Sequence, residues 1–563
     1  MSNKGKKNSA KKVAAEKDIK NIIETENTDT NADVFEDVVV IEPDGTEYVN
    51  GEKVQKEKDH KKGKNQADKK PMKQKMAEAW DFTKKFLKSR LCGYIVSIVQ
   101  LVLTCILLGE ILYMNALPVW LFIPICLVML LLNMFTFLTA QSKKLRTAGK
   151  IVSLVFIIIW SMGIYYVGHA NDMVDNISGA KTKTDVVNVY TLRVNPATGL
   201  NQIEEFGILK ALDSENTVKT IADIEKKVGK SITTVEYDSF LELVQALYDE
   251  EVDAIILNSA FVETIVDEPA FVNFKTETKI LHENTIVTEI EVEEDKDVTN
   301  NTFVLYASGI DVTGNISTTS RSDVNILIVV NPDTRQVLMI NTPRDYYVPL
   351  ALGGNPMDKL THAGIYGVDT SMKTLGNLYG IKVDYFFRVN FTGFKKVIDA
   401  LGGIEVYSEK AFTTTHGGYK IKQGNNSLNG AQALGFVRER YAFGDGDNQR
   451  GRNQMKIIKA IMDKMMSPAL LNDFSGLMES LSGSFQTSMT SEQIMALVRK
   501  QLNEGGSWNI KSYAVSGYGD KLPVYSMSAI PYVMIPYQDQ VDRAKNLIQM
   551  VFDGKVITDN DVK

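Results

Sequence analysis

Two acids and a concentration of arginines are the residues of this sequence with the clearest capacity for chemistry. Eight of the thirteen arginines lie between Arg321 and Arg452, whereas lysine supplies most of the positive charge elsewhere. A planar guanidinium binds phosphate oxygens in two-pronged fashion, which a lysine cannot do. Asp311 and Asp323 stand near the ends of strand-like runs, and carboxylates suit a hard divalent ion such as Mg2+. Such aspartates also cap turns, so the pair means little without the arginines. Gathering Arg321, Arg344, Arg438, Arg440 and Arg450 without a polyanion would be electrostatically unfavourable. The expectation is a site with two carboxylates for a metal and a pyrophosphate held by those arginines, with Lys359 beside them. Arg344, Asp345 and Asp447 are the catalytic candidates, the two acids serving as bases or as groups that orient the arginines. His362, in DKLTHAGIYG, could transfer protons, but the favoured reading is that it fixes its loop by hydrogen bonds. Tyr346 and Tyr347 line the mouth or pack.

The elements that must position these residues follow from pattern. Residues 303–310, 324–330 and 336–340 read as strands, rich in β-branched and apolar side chains and bounded by Gly, Asn, Pro and Asp. Asn331-Pro332-Asp333-Thr334 has turn chemistry, so the last two should form a hairpin that returns Arg344 to Arg321 and Asp323. Asp311, leaving the first strand, joins the same edge. Arg335 sits in the turn at the opposite end, and Arg452 stays ambiguous. Arg321 and Asp323, two apart, should share a side in extended backbone, as should Phe436, Arg438 and Arg440. Arg450 and Gln454 share a face of a helix running to about residue 466, with an apolar stripe of Ile457, Ile461 and Met465.

The runs SRSDVNILIVVNPDTRQVLMINTPRD, DKLTHAGIYG and VRERYAFGDGDNQRGRNQ, in that order within residues 302–466, resemble the LytR-CpsA-Psr family of envelope proteins. The resemblance implies an α/β (α+β) fold with a mixed central β-sheet flanked by helices. It implies a Mg2+-dependent phosphotransferase that moves a glycopolymer from an undecaprenyl pyrophosphate carrier to peptidoglycan. Asp311 and Asp323 match the family's metal aspartates; Arg321, Arg344, Arg438, Arg440, Arg450 and Gln454 match its pyrophosphate positions, and Asp447 fits the same network. An apolar cleft for the lipid is implied too. The rivals are a non-catalytic lipid-pyrophosphate-binding regulator of the polysaccharide export machinery, and a lipid pyrophosphatase. A transcriptional regulator would need a DNA-binding element, and the N-terminal tail has no helix-turn-helix pattern.

Composition sets the compartment. A formal net charge of -6 gives no reason to expect nucleic acid, and five scattered histidines do not suggest zinc. The three cysteines fall within apolar segments, so the polar portion has neither a disulfide nor a cysteine nucleophile. Residues 1–88 are rich in Lys, Glu, Asp and Asn and are expected to be a mostly disordered cytoplasmic tail. Apolar runs at 91–112, 119–140 and 151–167 make residues 89–168 three membrane spans. Lys143, Lys144, Arg146 and Lys150 in the second loop, and Lys84, Lys85, Lys88 and Arg90 before the first span, put those parts in the cytoplasm. Everything after about residue 168 is then outside. Glu110 lies near the end of its span, where it reaches interfacial water. Residues 169–184 read as a connector and 185–292 as a small α/β accessory domain, with a helix at 201–212 and an edge strand at 286–292. A charged linker at 293–300 leads into the catalytic domain, 301–563. The aromatic run 525–537 completes its fold.

Overall fold

The computed structural model describes residues 39–41, 47–49, 52–53, 80–81, 85–292, 296–310, 316–444, 446–465, 485–527 and 530–563. The chain divides into Met1–Phe82 and Thr83–Lys563. In the first, the strands Val39–Ile41, Glu47–Val49 and Glu52–Lys53 pair into a small antiparallel sheet within the tail expected to be mostly disordered, the rest of which lies almost wholly outside the described residues. Val39, Val40 and Ile41 are the kind of β-branched residues that favour the first of these strands.

The second unit begins with three helices long and apolar enough to cross a membrane: α1 (Arg90–Met114), α2 (Val119–Gln141) and α3 (Arg146–Ile177), with mean hydropathies of 2.4, 2.5 and 2.1. Apolar surfaces gain little by pairing in lipid, so polar contacts between helices matter there. Buried Gln100 accepts hydrogen bonds from Thr136 at 2.9 Å and from Ser153 at 2.5 Å, and Asn133 donates to Thr104 at 2.8 Å. Asn171 donates to Glu110 at 3.0 Å. The connector expected at 169–184 is mostly regular structure instead. α3 continues to Ile177 because Met173 and Ile177 bury against Leu401 and its neighbours, and the next strand starts at Thr182.

A five-stranded sheet follows, built from β1 (Thr182–Leu192), β2 (Glu205–Leu209), β3 (Thr233–Tyr237), β4 (Ala254–Asn258) and β5 (Thr278–Glu289) in the order β3-β2-β4-β1-β5. Helices α4 (Ser214–Val228) and α5 (Phe240–Tyr248) make the crossovers. The helix expected at 201–212 is β2. Phe206, Ile208 and Leu209 are buried on both sides of the sheet, and burial on both faces outweighs the helical spacing read from sequence. The strand expected at 286–292 is the end of the long edge strand β5.

The central sheet is mixed and six-stranded. Its strands are β6 (Phe303–Ile310), β7 (Ser322–Asn331), β8 (Gln336–Asn341), β11 (Tyr385–Asn390), β14 (Phe485–Thr487) and β15 (Asn509–Ala514), in the order β14-β11-β6-β7-β8-β15. Between β8 and β11 lie the small ladder of β9 (Tyr347–Pro349) with β10 (Met357–Lys359), then α6 (Leu360–Ala363) and α7 (Val368–Tyr379). After β11 come α8 (Phe391–Ala400), β12 (Ile404–Ser408), β13 (Gly424–Leu428), α9 (Gly430–Arg438) and α10 (Asp447–Met465). α11 (Ser491–Glu504) precedes β15, and β16 (Gly517–Lys521), β17 (Tyr532–Pro536) and α12 (Gln538–Phe552) end the fold. Alternation along the strands divides the core. Val304, Tyr306, Leu327 and Phe386 pack under α7 and α12, while Ala307, Ile326, Ile328 and Met339 pack under α10.

Candidate active site

The expected hairpin is present, with Asn331 opposite Gln336 and Ile326 opposite Asn341. β6 pairs antiparallel with β7 and parallel with β11, and β7 antiparallel with β8. The carboxyl ends of β6, β8 and β11 therefore share one edge with the start of β7. That edge receives Arg321 and Asp323 at the entry to β7, and Arg344 and Asp345 just past β8.

At the centre of the edge, charges alternate along a chain of contacts. Arg344 Nη1 donates to Asp323 Oδ1 at 2.9 Å, and its Nε lies 3.6 Å from Asp345 Oδ2. Lys359 Nζ stands 3.3 Å from Asp345 Oδ1. These four side chains are only 14–22% exposed, so water screens them weakly. A register shift between Ser322 and Val324 interrupts the alternation of β7. Arg321 accordingly does not pair with Asp323. Its Nη1 donates to Asp267, which follows the short helix Val262–Val266 of the five-stranded region.

Lys359 is fixed by its neighbours. It ends β10, opposite Tyr347, and the fully buried Asp358 beside it accepts from His362 Nδ1 at 2.6 Å, from Lys359 N at 2.7 Å and from Ser526 N at 2.8 Å. Burial works to raise the Asp358 pKa, but the charge and hydrogen bond of His362, with the two backbone donors, outweigh it and hold it below the usual carboxylate range. His362 thus secures its loop. Tyr346 donates to Ser516 O at 2.7 Å and Tyr347 to Pro523 O at 2.9 Å, so both pack.

The segment bearing Arg438 and Arg440 corrects the extended reading. Gly430–Arg438 is helical, opened by Asn429 and Gln432, which cap one another's backbone N–H groups. Arg438, its last residue, lays its guanidinium over the Phe391 ring, 4.5 Å from the centroid, where α8 leaves β11. Buried Glu439 accepts from Thr415 N at 2.6 Å and Ala442 N at 2.9 Å, and so holds the turn that carries Arg440. α10 behaves as expected: Arg450 and Gln454 are both buried on it. Gly451 between them lets the helix close on Asn341, since a Cβ there would collide with the Asn341 amide. Arg335 pairs with Glu504 in the turn, and Arg452 donates to Gln449 at 2.9 Å. Asp311 and the side chain of Asp447 lie outside the described residues.

Buried Arg388, which stands in none of the site's motifs, donates to Thr318 O at 2.9 Å and Ser317 O at 3.4 Å, and burial pulls its pKa down to about 10. Asp267 was missed because it sits in no motif, and only the tertiary fold delivers it to Arg321. As to metal, no group of three or more His, Cys, Asp or Glu side chains assembles among the described residues. Asp323 keeps Oδ2 outside its hydrogen bond to Arg344, which suits Mg2+, an ion that takes one or two carboxylates and fills its other positions with water and phosphate oxygens.

Residues 270–547 match the model of the LytR_cpsA_psr family. The chain is 31% identical over 240 residues to the polyisoprenyl-teichoic acid–peptidoglycan teichoic acid transferase TagT of Bacillus subtilis, covering 40% of this chain and 73% of that protein. To the transferase of the same description, TagU, of Oceanobacillus iheyensis it is 33% identical over 209 residues, 36% of this chain. There it spans 63% of the relative, under two thirds of its length. A crystal structure of B. subtilis TagV, 26% identical, superposes with a TM-score of 0.39 over 46% of this chain and 99% of that one.

Proposed function

Because the chain belongs to the LytR-CpsA-Psr family, we propose that it is a membrane-anchored transferase carrying a glycopolymer, of the teichoic-acid or capsular kind, from a polyisoprenyl pyrophosphate to peptidoglycan outside the cytoplasmic membrane. The observation that carries this reading is the single sheet edge where Asp323, Arg344, Asp345 and Lys359 interlock and to which α10 brings Arg450 and Gln454. The N-terminus and the basic loop between α2 and α3 lie on the cytoplasmic side in this reading.

In the reaction, an acceptor hydroxyl oxygen attacks the sugar-linked phosphorus, and the bond to the bridging oxygen breaks, leaving the carrier as its monophosphate. Phosphoryl transfer asks mainly for positioning and for stabilisation of oxygens that gain charge. Arg344 is held on two edges by carboxylates, which fixes its plane before substrate arrives. Asp345, placed between Arg344 and Lys359, orients both cations, and Asp447 remains the candidate for taking the acceptor proton. Arg321, Arg438, Arg440 and Arg450 neutralise the diphosphate, with Gln454 a hydrogen-bond donor. Mg2+ would be held by Asp323 and Asp311, and when bound it supplies further neutralisation of the phosphate oxygens.

The test incubates the full-length protein in nanodiscs with a polyprenyl-pyrophosphate-linked glycan and peptidoglycan. Expected is release of polyprenyl monophosphate that depends on the acceptor, and its loss in Arg344→Ala and Asp323→Asn. Release without acceptor would make it a pyrophosphatase, binding without release a regulator, and full turnover by both variants would remove the site.

A further inference from the structure

Residues 316–322 lead straight into Asp323 and carry Arg321, and they are gripped from two sides. On one side stands the central sheet, where Arg388 holds the carbonyls of Ser317 and Thr318. Gly364 presses against the same segment, and a Cβ there would stand 2.5 Å from Ser320 O and 2.9 Å from Ser322 N. On the other side stands the five-stranded sheet. Thr184 of β1 donates its N–H to Ser317 O at 3.0 Å and accepts from Thr319 N at 2.9 Å, making a parallel bridge with Thr318. Buried Asp185 accepts from Thr319 Oγ1 at 2.7 Å. From the same region Asp267 reaches the Arg321 guanidinium.

This contact differs from an ordinary surface ion pair in its placement. The Arg321 side chain is 18% exposed and Asp267 60%, so the acid remains hydrated while the cation is mostly enclosed. The contact uses Nη1 alone. A carboxylate that blocked the guanidinium would engage two N–H groups side by side. Held by one corner, Arg321 keeps its Nε and Nη2 edge for a phosphate oxygen.

We propose that the five-stranded sheet is a working part of the pyrophosphate site and that Asp267 is a positioning residue, setting the plane of Arg321 for the diphosphate of the lipid donor. The inference rests on the function proposed above. It assigns a task to a part of the chain that carries no phosphate loop or nucleophile of its own. The β1 bridge sets the backbone before Arg321, Asp267 sets the side chain, and both come from the end of the five-stranded sheet where β1 starts and β4 finishes. Asp267 is too exposed for its loss to weaken the fold much, so its replacement reads on binding.

The experiment compares wild type, Asp267→Ala, Asp267→Glu and the control Glu263→Gln, each full-length in nanodiscs. Geranylgeranyl pyrophosphate affinity is measured by calorimetry, and KM and kcat with the glycan donor. Expected for Asp267→Ala is about tenfold weaker binding and a matching rise in KM, as for loss of an oriented charge-assisted contact, with kcat within about twofold of wild type. Asp267→Glu recovers most of the affinity, and Glu263→Gln matches wild type. Unchanged affinity in Asp267→Ala, a fall in kcat with KM unmoved, or a glutamate no better than alanine would each overturn the inference. Wild type that binds the diphosphate but transfers no glycan sinks the proposed function alone, because the affinity series still decides the role of Asp267.

Discussion

Arg344→Lys is the substitution that most directly separates geometry from charge. The guanidinium of Arg344 meets Asp323 through Nη1 at 2.9 Å and faces Asp345 through Nε at 3.6 Å, two carboxylates on different edges of one plane. A lysine keeps the charge but gathers its donors on a single nitrogen, and it cannot face both acids and a phosphate in fixed directions. The variant therefore gives up about one charge-assisted hydrogen bond in the transition state, on the order of 1.5–3 kcal/mol. At about 1.36 kcal/mol per factor of ten in rate, that is a fall of roughly 10- to 150-fold in kcat/KM. The effect should fall on kcat if Arg344 acts on charge that develops as the pyrophosphate bond breaks, and on KM if it only holds the donor. The assay is acceptor-dependent release of polyprenyl monophosphate, with Arg344→Ala as the lower bound. An Arg344→Lys enzyme within threefold of wild type would show that a point charge suffices, and the argument from the two-edged clamp would fail.

Three further outcomes follow from the packing. Gly451→Ala should cost about 1–3 kcal/mol through overpacking against Asn341 and lower turnover by pushing Arg450 and Gln454 outward; a variant as stable and active as wild type in thermal unfolding and release assays would contradict the close approach. Tyr306→Phe should destabilise by about 1–3 kcal/mol, because the Tyr306 hydroxyl donates to buried Asn325 Oδ1 at 2.7 Å and lies 2.9 Å from Ser322 Oγ beside the site; thermal melting reads it. Burial, with the Asp185 charge, pushes the Asp213 carboxyl up to about 6 against the pull of Asn258, Asn216 and Lys183. A raised acid contributes stability below its unfolded pKa and loses it as pH rises through the folded value. Wild type should therefore lose about 2 kcal/mol between pH 4 and 6 relative to Asp213→Asn, and parallel melting-temperature profiles for the two proteins would refute this.

The parts of the site legible in sequence are those whose signal is local. Asn331-Pro332-Asp333-Thr334 announces the hairpin, and β-branched strands on either side set the register that brings Arg344 to Asp323. Arg450 and Gln454 obey helical spacing and stand where the spacing puts them. The misreadings come from competition between local patterns. Phe436, Arg438 and Arg440 alternate like a strand, but the mutual cap of Asn429 and Gln432 starts a helix that absorbs the first two. Residues 201–212 are spaced like a helix, yet β2 forms there because Phe206 and Leu209 are needed in two different cores. Asp267 and Arg388 carried no local mark, for their partners are delivered by the fold alone.

The membrane segment bears on the same chemistry. A flexible connector after the third span would have left the site free to sit at any height above the bilayer. α3 instead runs unbroken to Ile177, and Met173 and Ile177 pack on Leu401, Val397, Ala400, Ile461 and Phe485. Those residues belong to α8, its exit, α10 and β14, and α10 is the helix that presents Arg450 and Gln454. In the proposed topology, with the span ending near Val167, the next ten residues of α3 would rise roughly 15 Å at about 1.5 Å per residue, and the helix would set both the distance and the orientation of the sheet edge. A carrier whose tail stays partly in the bilayer can bring its diphosphate only to a site of fixed height, and a rigid docked anchor meets that demand where a loop would not.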